Sequence, residues 1–164
     1  MSDYPSLELD PIRRLHVLAA AIPGAAVSEA TLDAPFADVW AVATDFERVS
    51  EIEIFVASPR IRARRTDPDT GHERLEVVYR ARPLGGEDVL EIDLRPGWCW
   101  MQSRLAIAGM AACPEGGATR LAHLEAMRFP GRRLLGPFLG AKMTVVRELR
   151  RIERRAQARA RGSR

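Results

Sequence analysis

The run Leu121-Ala-His-Leu-Glu-Ala-Met127 carries the strongest candidate chemistry in this chain. As a strand it places Leu121, His123, Glu125 and Met127 on one face and Ala122, Leu124 and Ala126 on the other. An imidazole and a carboxylate two residues apart on one wall can take up and release a proton near neutral pH. If the strand sits in the opposite register, both groups face water, and a slip of one residue decides between the two. Trp98 and Trp100 share a strand face with Gln102 and Arg104. The two indoles can line a pocket, and Arg104 can hold a carboxylate or phenolate. Tyr79 brings a hydroxyl that needs a partner when buried. Phe138 and Met143 lie on a helical stretch that packs on the strands, and they complete the ligand-contacting candidates. No nucleophile elbow, zinc-protease helix or phosphate-binding glycine loop is present. The other two histidines, His16 and His72, fall in an N-terminal segment and a turn, so neither serves an interior site. With no second histidine at ligand spacing, no metal site and no cofactor are expected.

These side chains have to be positioned by strands and one long helix. Val27 to Leu32 alternates weakly with period two and runs directly into a short helix. Asp33 is placed to cap that helix, Pro35 sits in its first turn, and Phe36, Val39, Trp40 and Ala43 form one face. Thr44-Asp-Phe-Glu-Arg48 reads as a second helical turn capped by Asp45. Strands follow at Ile54 to Arg65, interrupted near Ser58-Pro59, and at Glu73 to Arg82, Val89 to Leu94 and Trp98 to Arg104. Two more run from Leu105 to Cys113, kinked at Gly109, and from Ala118 to Phe129. Strands every ten or so residues with short turns make an antiparallel meander. From about Leu134 the period becomes helical, with Leu135, Phe138, Leu139, Met143, Val146, Leu149 and Ile152 forming a stripe. The opposite face carries Arg147, Arg150, Arg151, Arg154 and Arg155. Only the meander is large enough to cover the stripe.

The 164 residues, 46% hydrophobic and 29% charged, describe one globular domain with a substantial core. A helix ending near Pro23-Gly24 is expected in an N-terminal extension over residues 1–25, followed by a ligand-binding domain over 26–158. Residues 159–164 form a basic tail expected to be disordered. Cys99 and Cys113 read as free thiols. From Arg128 onward twelve Lys and Arg face two acids, whereas the rest of the chain is net negative. No aromatic interleaving accompanies those charges, so nucleic acid is not an expected partner; a weak contact with an anionic surface is left open. The apolar run Leu15 to Ile22 is too short to span a bilayer, and a cytoplasmic protein is expected.

Three stretches resemble the START/SRPBCC superfamily, which includes birch-pollen-allergen-like proteins and polyketide cyclases. Ala34-Pro-Phe-Ala-Asp-Val-Trp40 is similar to the family's Ala-Pro-x-x-x-Val-Trp start. Thr44-Asp-Phe-Glu-Arg48 resembles its second helix, and Gly116-Gly-Ala-Thr-Arg-Leu121 the entry to its last strand. Ser50-Glu-Ile-Glu-Ile54 departs from the bulky residue and proline usual after the second helix. The resemblance implies an α+β helix-grip fold: about seven antiparallel strands curved around the C-terminal helix, with two short helices after the first strand. It places a ligand between sheet and helix and favours His123 and Glu125 pointing inward. It further implies a carrier or sensor of a hydrophobic small molecule or lipid, rather than an efficient enzyme. The alternative it implies is a cyclase or dehydratase using His123, Glu125, Tyr79 and Arg104.

Overall fold

The computed structural model describes residues 10–82, 85–128 and 141–162, with side chains of the last segment described from Thr144 onward. Helix α1, Pro11–Ala21, starts with proline at its first position and is capped by Asp10, whose carboxylate accepts from the Ile12 amide at 2.8 Å. Strand β1, Ala26–Leu32, leads into helix α2, Phe36–Ala43, and then a 3₁₀ turn at Val49–Glu51. The meander comprises β2 (Val56–Thr66), β3 (Glu73–Ala81), β4 (Glu87–Arg95), β5 (Trp98–Gln102), β6 (Ala106–Glu115) and β7 (Ala118–Met127). Helix α3, Ala141–Gly162, ends the described chain.

The strands form one antiparallel sheet in the order β1-β7-β6-β5-β4-β3-β2, so the first strand joins the last and the meander runs out from it. The expected interruption of β2 is a bulge: pairing shifts between Ala57 and Arg60, and Ser58 takes a positive φ of 49°. The two expected caps are not made. Asp33 instead ties α3 to the end of β1, its amide donating to Glu153 and its carbonyl accepting from Gln157. Helix α2 begins after Pro35 without a side-chain cap, and Asp45 caps nothing because the helical turn there starts later, after Arg48.

The sheet has a helix on each face. Inside, α3 and α2, the latter through Val39 and Ala43, close over Leu32, Phe46, Leu94, Cys99 and Leu121. The buried stripe of α3 is Val145, Leu149, Ile152 and Ala156; Val146, expected in it, is exposed. Outside, Ile12, Leu15 and Ala19 of α1 pack on Ala111, Ala122 and Leu124. Gly109 makes that approach possible, since a Cβ there would stand 2.9 Å from Leu15 Cδ1 and 3.1 Å from Trp100 Cε3. Helix α3 runs to Gly162 and so takes in the first residues of the expected basic tail, with Arg159 pairing with Asp38. Cys99 and Cys113 are both free thiols, Cys99 in the inner core and Cys113 among the residues packed on the outer one.

Candidate functional site: a buried imidazole among three carboxylates

Helix α1 fixes which way β7 faces. Its apolar stripe occupies the side of Ala122 and Leu124, which leaves Leu121, His123 and Glu125 pointing toward α3. On the neighbouring strands, Ser28 of β1 and Met110 of β6 stand opposite His123, and Ala108 stands opposite Glu125.

Two further acids join this pair from distant parts of the chain. Glu148 comes from α3, where it sits fully buried inside the apolar stripe beside Leu149 and Val145. Glu53 comes from the loop before β2, its amide bonded to the Val49 carbonyl at 2.8 Å. Arg151, one helical turn beyond Glu148, donates to the Ile52 carbonyl at 2.6 Å and so holds the Glu53 loop against α3.

His123 Nδ1 lies 3.1 Å from Glu148 Oε2, and Nε2 lies 3.8 Å from Glu53 Oε1. Donor atoms of Glu53, His123, Glu125 and Glu148 all fall within 4.8 Å of one another. Contact is close but poorly aligned: neither ring nitrogen of His123 and neither carboxylate oxygen of Glu148 makes a hydrogen bond. Burial disfavours charge on these acids, and the acids repel one another. Glu53 is pushed up to about 7 by burial and by Glu148, against the pull of His123. Glu148 is pushed up to about 8 by burial, with Arg151 opposing. Glu125 moves well above the usual carboxylate range through burial and through Glu53 and Glu148. His123 and Glu148 are sealed, whereas Glu53 and Glu125 keep partial exposure.

The remaining sequence candidates divide. Tyr79 is buried near the same interior, but its hydroxyl is already engaged by Asp88 at 3.3 Å and Ser103 at 3.2 Å. Trp98 and Trp100, expected on the cavity wall, are on the outer face of the sheet. They stack at 6.5 Å, pack with α1, and Arg14 lies over the Trp98 ring at 4.7 Å. Their parity leaves Cys99 and Met101 as the inward residues of β5. Arg104 is exposed in a surface recess with Gln102 and Arg128, so it too is away from the interior. Phe138 and the Met143 side chain lie outside the described residues. His16 pairs with Glu29 at 3.0 Å, and His72 contacts Asp93 at 2.6 Å.

Glu53 and Glu148 escaped sequence reasoning, though each left a trace. Glu53 lies in the stretch Ser50 to Ile54 that departs from the family pattern. Glu148 is a lone acid within an otherwise apolar helical stripe. The expectation of no metal site rested on the lack of a second histidine; three carboxylates surround the one that is present.

The sequence matches no family model and no curated relative. Solved structures do match. The protein TTHA0849 from Thermus thermophilus is 18% identical, covering 83% of this chain and 99% of its own, at a TM-score of 0.64. A START superfamily protein from Mycobacterium smegmatis is 15% identical, covering 85% and 99%, at a TM-score of 0.50. The fold is the START-type helix grip. The Zhui aromatase/cyclase from Streptomyces sp. R1128 shares this START-type architecture at 14% identity, over 82% of this chain and 94% of that one, with a TM-score of 0.55.

Proposed function

We propose that this chain holds a hydrophobic small molecule or lipid between the inner sheet face and α3, as a carrier or sensor, with the ligand's polar end toward the Glu53–His123–Glu125–Glu148 cluster. The carrying observation is a partly exposed strip on the inner face. Leu90, Ala108, Glu125 and Met127 keep some accessibility, whereas Leu94, Cys99 and Leu121 further along the same face are closed. An apolar surface ending in a few convergent polar groups is the usual form of a small-molecule site. The resemblance to a START superfamily protein supports the same reading. Native mass spectrometry of gently purified protein is expected to show a retained ligand, and a fluorescent fatty acid is expected to bind. Ala108→Phe, which fills the strip, should weaken that probe roughly tenfold or more. Absence of both a retained ligand and probe binding would overturn the proposal.

A second reading, chemistry of the cyclase or dehydratase kind, is supported by His123 itself. A sealed imidazole with a carboxylate beside each ring nitrogen can exchange a proton with a bound substrate through the partly exposed Glu53. The named aromatase/cyclase of this fold points the same way. Turnover of a reactive polyketone by wild type and none by His123→Gln is the expected result under this reading; equal turnover would remove it.

As to surfaces, no helix among the described residues is long and apolar enough to cross a membrane. Part of the expected arginine face of α3 is engaged within the molecule. Arg151 holds the Ile52 carbonyl and Arg155 pairs with Glu51, which leaves Arg147, Arg150 and Arg154 exposed for any anionic-surface contact.

A further inference from the structure

We propose that Glu53, His123, Glu125 and Glu148 together bind one divalent first-row transition-metal ion of the Zn²⁺ or Mn²⁺ kind. The proposal goes beyond the ligand-binding reading and requires no small molecule in the interior.

Spacing is the first support. Oxygen and nitrogen ligands stand about 2.0–2.2 Å from Zn²⁺, so two ligands of one such ion are at most about 4.4 Å apart. The four donor atoms here all lie within 4.8 Å of one another, so shifts of a few tenths of an ångström bring them onto one ion. They come from the loop before β2, from β7 twice and from α3, so the site is assembled by the fold and not by one flexible segment.

The second support is a lack of hydrogen bonds where the fold can least tolerate it. His123 is 1% exposed and Glu148 0%, yet both ring nitrogens and both carboxylate oxygens lack a hydrogen bond. Buried polar atoms are nearly always satisfied, and orphaned ones mark a missing water or ion. Three carboxylates in one pocket repel one another when ionised, so their charged forms need a cation beside them. Among the described residues Arg151 is the cation that acts on Glu148, and its guanidinium is directed to the Ile52 carbonyl. A divalent ion would satisfy the orphaned atoms and the charge together.

Donor chemistry sets the class. Carboxylates alone would suit Mg²⁺ or Ca²⁺, and thiolates would select softer ions; an imidazole added to carboxylates favours first-row transition ions. A ligating histidine commonly gives its other N–H to a carboxylate, which fixes the ring. His123 has a carboxylate near each nitrogen, so one nitrogen can ligate while the other gives its N–H to one oxygen of Glu148 or Glu53, whose second oxygen is left for the ion. Glu53 and Glu125 retain partial exposure, giving the ion a way in, while His123 and Glu148 close the far side.

The test is titration of the EDTA-stripped full chain with ZnCl₂ and, separately, MnCl₂ by isothermal calorimetry. One ion per chain with a Kd of about 10 μM or tighter for at least one of the two metals is expected. The Tm should rise by roughly 5–10 °C when that metal is present at about 100 times its Kd. Glu148→Gln and His123→Gln should each weaken binding roughly tenfold to hundredfold or more, and His16→Ala, on the outer surface, should leave it unchanged. Glu148→Gln keeps the shape of the protonated acid and cannot ionise, so it is expected to fold and to match or exceed the Tm of the stripped wild type. Failure of both metals to bind below about 1 mM would overturn the proposal, as would equal affinity in wild type and Glu148→Gln. The fatty-acid probe is measured on the same stripped protein. Probe binding without metal binding overturns the metal site alone, and metal binding with neither a retained ligand nor probe binding overturns the ligand-carrier reading alone.

Discussion

Both faces of the β7 region are buried under a helix, and the two burials differ in kind. Outside, Ile12, Leu15 and Ala19 of α1 meet Ala111, Ala122 and Leu124, a contact made of methyl and methylene groups and opened by Gly109. Inside, α3 brings Leu149 and Ile152 to Leu121 but also sets Glu148 against His123. The outer contact lowers the free energy of the fold by removing apolar surface from water. The inner one includes three acids and an imidazole whose burial opposes folding. A chain able to make the outer packing had apolar residues available for the inner one. Retaining Glu148 in an apolar stripe is therefore best explained by what the cluster binds or does.

The contrast breaks most readily from the outside. Leu15 is fully buried between the sheet and the rest of α1. Leu15→Ala removes its contacts and leaves a cavity, and is expected to destabilise by about 2–5 kcal/mol in urea titrations. If the loss is below about 1 kcal/mol, α1 contributes little and the comparison of the two faces fails.

A substitution on the inner face should have the opposite sign. Glu148→Met puts an apolar side chain of similar length in the stripe, and in metal-free protein it is expected to be neutral to stabilising by about 1–4 kcal/mol. The pH dependence follows from the same acids. Glu53 at about 7 and Glu148 at about 8 hold protons in the folded protein that the unfolded chain releases near the usual carboxylate value. Stability from this source is therefore complete below about pH 4.5 and is lost as pH rises through about 7–8. Metal-free wild type should lose Tm steadily across that window, and Glu148→Met should lose less. A Tm that rises with pH over this range in wild type would contradict the placement of these acids.

Gly109 offers a finer probe of the outer contact. An added methyl group meets Leu15 and Trp100 side chains at 2.9–3.3 Å, tighter than ordinary packing. Gly109→Ala is expected to cost about 1–3 kcal/mol. Combined with Leu15→Ala, which empties the space the methyl needs, it should cost less than the sum, as a double-mutant cycle will show.

The same two faces explain what the sequence could and could not disclose. Element order was legible because alternation in β3, β4 and β7 and the three-four spacing of α3 are local properties. The facing of β5 was not, since Trp98 and Trp100 alternate with Cys99 and Met101 and either pair could line an interior. What decides it is α1, whose Ile12-Leu15-Ala19 stripe needs an apolar partner and takes the tryptophan side. A helix whose own partner is unassigned hides the parity of the strands beneath it. The site was half legible for a related reason. His123 and Glu125 are near neighbours in sequence, but Glu53 and Glu148 reach them from opposite ends of the meander. Their meeting depends on tertiary contacts such as Arg151 with the Ile52 carbonyl, which no local pattern encodes.

The smallest expected effect comes from charge placed where water can reach it. At the rim of the outer face, Arg120 pairs with Asp10 and lies 3.5 Å from Glu29. Exposed pairs gain little because water screens them and ordering the side chains costs entropy. Arg120→Ala should leave the Tm within about 2 °C of wild type, with any difference shrinking as salt is raised. Glu148→Met differs from it in both sign and salt response, because ions in solution screen a sealed cluster much less. Should Arg120→Ala prove as consequential as Leu15→Ala, the outer contact would be held by its charged rim and not by its methyl groups. The physical distinction between the two faces would then lie in exposure alone.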